Sequence, residues 1–158
     1  MFDTITDSIA SALSGNGINA VTKFPVSKLN RAETLVCVSI KSARITASGL
    51  GNYIGLCTQN GTVKEMYGSR AELQIAADIY SPFDEDSSEP GCAEYAALVE
   101  DKIRSVQGLS VTEFNFGDIR YDTAAEMFHS ACTVKAGAYL VRELLGGELS
   151  SYGLGETV

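Results

Sequence analysis

The side chains that could do chemistry are few. There is one histidine, His129, and there are four cysteines, Cys37, Cys57, Cys92 and Cys132. His129 and Cys132 form an HxxC, a spacing that on a strand sends the two side chains to opposite faces, so they share neither a metal nor a proton. A nucleophilic triad needs a base, and by alternation His129 lies on the more polar face of its strand, as a surface histidine would. The cysteines stand far apart with no CxxC pair, so they are expected as reduced, mostly buried thiols.

Three further motifs meet the same fate. The run Gly49-Leu50-Gly51-Asn52-Tyr53-Ile54-Gly55 looks like a dinucleotide fingerprint, but Cys57 to Val63 heads into a tight turn where such a site needs a helix. Asp84, Glu85 and Asp86 lack the alternating ligands and terminal Glu of a calcium loop and read as solvated. Phe114, Phe116 and Tyr121 lie among Glu113 and Asp118 instead of the Lys and Arg of a base-stacking platform. No catalytic residue, metal ligand or cofactor is therefore expected, and a binding or assembly role gains by elimination.

The bulk of the chain sets matching bounds. Its 158 residues and 45% hydrophobic content suit a single domain with one core. A net charge of −8 excludes the basic stripe of specific nucleic-acid binders. No stretch reaches the roughly 20 apolar residues of a membrane span, and the N-terminus carries acids where a secretory signal carries bases, so no membrane is expected and synthesis is expected in the cytosol.

The periodicities predict the elements that must position these residues. Phe2, Ile5, Ile9, Ala12 and Leu13 recur at helical spacing, and Ser14-Gly15-Asn16-Gly17 ends that helix. Ile18 to Phe24, stopped by Pro25, reads as a short extended segment, and Thr34 to Ala47 as a β-branched strand. Asn60-Gly61 marks a type I′ hairpin within 52–70, whose weakly apolar arms favour projection towards a partner. Ala71 to Tyr80 alternates, with Leu73, Ile75, Ala77 and Ile79 on one face and Glu72, Gln74, Asp78 and Tyr80 on the other. Cys92, Tyr95, Ala96, Val99, Ile103 and Val106 form a helical stripe closed by Gly108. Strands over 111–121 and 128–140 follow. The expected class is α+β, a mostly antiparallel β-sheet with two α-helices packed on one face. It forms a single domain over 1–145, followed by a flexible glycine-rich tail over 146–158.

The run AELQIAADIYSP at 71–82 followed by an amphipathic helix resembles the central strand and helix of bacteriophage tail terminators, the lambda-like tail-completion proteins among them. LSVTEFNFGDIRYDTAAEMFHSACTVKAGAYL at 109–140 is similar to the family's closing strand pair, with its Tyr-Asp at Tyr121 and Asp122. The likeness runs from about residue 2 to 141. It implies a non-enzymatic subunit that forms a ring, commonly a hexamer, on the tail tube, ends tube growth and presents the head-joining surface. Its partners would be further copies of itself, the tail tube protein and the head–tail connector. It would be found in the host bacterial cytoplasm during assembly and then in the virion tail. Asn60, Gly61, Glu72, Gln74 and Asp78 are the expected inter-subunit residues, with the glycine-rich tail. Asp84, Glu85 and Asp86 are the expected acidic lining of a lumen that repels DNA phosphates. Another phage morphogenesis part, for head completion, connector or baseplate, is the near alternative. A small-ligand-binding protein or enzyme is the distant one, which a deep apolar pocket gathering His129, cysteines and carboxylates would favour.

Overall fold

The computed structural model describes residues 2–84, 86–142 and 152–154. In chain order the elements are α1 (Phe2–Gly15), β1 (Ala20–Val21), β2 (Leu35–Ala47), β3 (Tyr53–Gln59), β4 (Thr62–Pro82), α2 (Cys92–Ile103), β5 (Leu109–Asn115), β6 (Ile119–Asp122), β7 (Met127–Arg142) and β8 (Tyr152–Leu154). The strands form one eight-stranded sheet with β4 and β7 at its centre. Their antiparallel ladder runs from Tyr67 opposite Arg142 to Pro82 opposite Met127. Shorter strands flank this pair in relay: β2 and then β3 along β4, and β6, β5 and β8 along β7.

The class is α+β with two helices, and the correction to the expected fold is that the sheet is mixed, not purely antiparallel: one pairing among the described residues is parallel. β1 pairs parallel to β2, Ala20 opposite Val36. A parallel pair needs a crossover of about a dozen residues or more, and the connection 22–34 supplies it. Reading 18–24 as a bare extended segment left that direction open.

Both helices pack on one face of the sheet. In α1 the buried residues Ile5, Ile9 and Leu13 repeat every fourth position, as one stripe of a 3.6-residue helix requires. Asn16 Nδ2 donates to Ala12 O at 2.8 Å and Ile18 N to Leu13 O at 3.1 Å, which satisfies the last carbonyls of that helix. In α2 the stripe is Cys92, Tyr95, Ala96, Val99 and Ile103. The helix stops at Ile103, earlier than its stripe suggests. Val106 is still buried, and Gly108, at φ 79°, serves the turn into β5. Against these stripes lie Val36 and Val38 of β2, Leu73, Ile75, Ala77 and Ile79 of β4, and Cys132, Val134, Ala136, Ala138 and Leu140 of β7.

Two merged or broken strands complete the picture. The hairpin arm and the central strand are one element, the 21-residue β4. The single strand expected over 111–121 is two, parted at Phe116-Gly117-Asp118. There the backbone crosses Ala131 so closely that a Cβ on Gly117 would stand 2.2 Å from its carbonyl oxygen. Gly68 is the same device at the root of the hairpin, where a Cβ would stand 1.9 Å from Leu140 O. Of the tail expected over 146–158, only Tyr152–Leu154 falls among the described residues, and these pair with Leu140–Arg142.

Candidate assembly surface

Strand alternation and a one-sided helical layer leave the other face of the sheet without helices. Register assigns its rows. Arg44 of β2 faces Glu72 of β4, which faces Gly137 of β7 and then Ser110 of β5. The next row is Ser42, Gln74, Lys135 and Glu113, and the one after it Ser39, Ala76, Thr133 and Asn115. Small and polar residues dominate, so this face cannot bury a second hydrophobic core. Its twist makes an open hollow of about 910 Å³, lined on this side by Arg44, Arg70, Glu72, Gln74, Lys135 and Tyr139. Lys135 Nζ donates to Glu113 Oε2 at 3.1 Å. Hydrogen bonds from Asn115 and Lys135 hold the Glu113 carboxyl below its ordinary range.

At the far end of the same face the 22–34 connection folds over the sheet. Arg31 Nε donates to Ala125 O at 2.9 Å and pairs with Glu126 at 3.3 Å. Phe24 packs on Tyr80, ring centroids 4.8 Å apart, and Tyr80 stacks on His129 at 4.6 Å. His129 Nε2 meets Asp78 Oδ1 at 3.0 Å. Burial, with Asp78 and Asp122 nearby, pushes the Tyr80 phenol up to about 12.

This cluster sets what the face can do chemically. Asp78 also faces Cys37 across the β2–β4 ladder, and burial first, then the carboxylate, raises the Cys37 thiol. A nucleophilic cysteine needs the opposite influence, a neighbouring cation that lowers its pKa. Cys92 and Cys132 sit in the core, where burial raises both thiols. His129 and Cys132 lie on opposite faces of β7, as their spacing requires. The hollow contains neither His129 nor any cysteine.

The expected interface residues fall in two places. Asn60 and Gly61 form the two-residue turn between β3 and β4, with φ of 52° and 76°, the pair of positive angles a type I′ turn requires. The hairpin beside them exposes Leu56 and Val63. Glu72, Gln74 and Asp78 lie on the helix-free face of β4, Glu72 exposed and the other two half-buried. Asp84 and Asp86 are exposed at the other end of β4, and Glu85 lies outside the described residues.

Three features were not anticipated. The His129–Asp78 pair joins residues 51 positions apart, and only the β4–β7 register, which no local pattern encodes, brings them together. Arg44 meets Glu72 across the β2–β4 ladder, and Arg70, two residues before Glu72 on β4, flanks it from the same face. Finally, Phe83, 57% exposed, meets Tyr121 at 5.0 Å and Phe128 at 5.4 Å, a surface aromatic cluster whose three members come from three segments. The chain matches no protein-family model and no curated protein.

Proposed function

We propose that this chain is a structural subunit of a phage or prophage tail, a non-enzymatic protein that assembles into a ring capping the tail tube, stops tube growth and offers the head-joining surface. The observation that supports this reading is the helix-free face of the sheet, a broad surface of small and polar residues carried on β4 and β7 and continued into a hairpin beyond the helical layer. A surface of that kind suits repeated contacts between copies, with specificity from charge and hydrogen bonding. The resemblance of residues 71–82 and 109–140 to tail terminators agrees with it.

The test has two parts. Light scattering and negative-stain imaging of the purified chain over a wide concentration range should reveal a closed ring of about six copies. Purified tail tubes mixed with the chain should acquire capped ends. Tubes that continue to elongate in its presence would refute the function, whatever the chain does alone. Charge reversal at Asp78 should weaken assembly. Rings that survive it would remove the Asp78 end of this face from the interface.

A further inference from the structure

Charge is unevenly distributed along the chain. Residues 41–70, which end β2 and build β3 and the first part of β4, hold four bases, Lys41, Arg44, Lys64 and Arg70, against one acid, Glu65. Residues 83–94, which join β4 to α2, hold five acids, Asp84, Glu85, Asp86, Glu89 and Glu94, and no base. β4 starts within the first segment and ends at the second, so Arg44 and Arg70 at its middle are separated by half of the longest strand from the acids beyond its end, in a chain whose net charge is −8.

Each patch has a shape to match its charge. At the middle of β4 the hollow of about 910 Å³ on the helix-free face is flanked by Arg44 and Arg70, with Glu72 as the one acid between them. Both are exposed, and neither joins an ion pair among the described residues. Lys135 adds less, being paired with Glu113. At the acidic end the loop after β4 is a tight turn, with Ser87 N donating to Asp84 O at 3.1 Å and Asp86 N to Asp84 Oδ1 at 3.0 Å. It stands beside the exposed rings of Phe83 and Tyr121 and the exposed Ile119, which give it an apolar shoulder.

We propose that the acidic loop at 84–89 of one copy docks into the Arg44–Arg70 hollow of a second copy of this chain. The occupant is a second copy because both halves of the complementary pair belong to one chain but stand about a dozen strand residues apart along β4, too far to meet within it. An isologous dimer about either patch would set like charge against like, whereas head-to-tail contact sets acid against base at every junction and continues until rotation closes a ring. The inference rests on the self-assembly proposed above and names its two sides. The acidic loop then lies between copies and not on the wall of a lumen.

The contact predicts salt-sensitive assembly, because exposed charges are screened beyond a Debye length of about 10 Å at 0.1 M ionic strength. Sedimentation velocity and negative-stain imaging of the full chain should show assembly at low salt that loosens as salt rises. Arg44→Glu with Arg70→Glu, and separately Asp84→Lys with Asp86→Lys, should each weaken association by at least about a hundredfold while circular dichroism stays native. The four changes in one chain, or a one-to-one mixture of the two variants, should restore it, since every junction is again complementary. Rings formed equally well by both variants would overturn the contact and leave the ring reading standing. Loss in both variants without restoration would also overturn it. A wild-type chain that stays monomeric at every concentration in low salt would overturn it as well, while the capping of tail tubes still decides the proposed function.

Discussion

Gly68→Ala tests how the hairpin is held to the sheet. The added methyl would stand 1.9 Å from Leu140 O, 2.9 Å from Leu140 C and 3.1 Å from Ile54 Cδ1. Two of these three atoms are backbone, so no rotamer change relieves the clash. Restoring ordinary contact requires β4 and β7 to part by about 1 Å at this step, beyond what a packed interior absorbs. The ladder on either side, Tyr67 with Arg142 and Ser69 with Leu140, would weaken. Two impaired hydrogen bonds at about 1 kcal/mol each, with an overpacking cost of about 1–3 kcal/mol, give a loss of about 3–5 kcal/mol. At a urea dependence of about 2 kcal/mol per molar, the unfolding midpoint should fall by about 1.5–2.5 M. Hydrogen exchange should accelerate first in Tyr53–Tyr67, which leans on this junction. Gly15→Ala is the control: nothing lies within 4 Å of its Cβ position, so its midpoint should hold or rise. A Gly68→Ala midpoint within about 0.3 M of wild type would refute the close approach.

Other perturbations probe the helix-free face and the core. The Tyr80 phenol, raised from 10.0 to about 12 by burial and nearby carboxylates, keeps its proton in the folded chain over a range where the unfolded chain releases it. Stability should therefore be unaffected below pH 10 and fall between 10 and 12, by about 1 kcal/mol after allowance for partial solvent screening. Urea midpoints on either side of pH 10 should show the fall in wild type and lose this contribution in Tyr80→Phe. In thiol titration at neutral pH, Cys92 and Cys132, buried with raised thiols, should stay unreactive until the chain unfolds. Cys37, half-buried and raised by burial and Asp78, should react more slowly than a free thiol, and Asp78→Asn should speed it. Prompt native-state labelling of Cys132 would place it outside the core.

The sequence was most informative where local rules and burial agree. The stripe of α2, the alternation of 71–80 and the Asn60-Gly61 turn were legible because each repeats one period against one environment. Where the chain leaves the core the signal fades. Residues 62–70 carry little alternation because the hairpin lies beyond the helical layer, which is why a continuous β4 reads as two elements. The break at Phe116-Gly117-Asp118 is set by Ala131, a residue distant in sequence, and the parallel pairing of β1 by where the 22–34 connection delivers the chain. The His129–Asp78 contact and the Arg44–Arg70 hollow depend on register between strands separated by α2, or across a bulge between Ile40 and Ser42. One sequence records what each segment prefers and says little about which rows align.

The two faces of the sheet thus answer to different physics. On the helical face β-branched and aliphatic side chains from α1, α2, β2, β4 and β7 interlock, and burial of that kind supplies the bulk of folding stability at about 25 cal/mol per Å². On the other face Ser39, Ser42, Thr133 and Gly137 give little apolar area to bury. Association there must draw on charge, hydrogen bonds and the few exposed rings, which are weak singly and strong only when several act together in one geometry. On the proposed reading, a chain built this way would fold independently of its neighbours and bind them reversibly, with ionic strength as the control. Fold stability and assembly should accordingly respond to different substitutions: Ile75 and Ile79 to the first, Arg44, Arg70, Asp84 and Asp86 to the second.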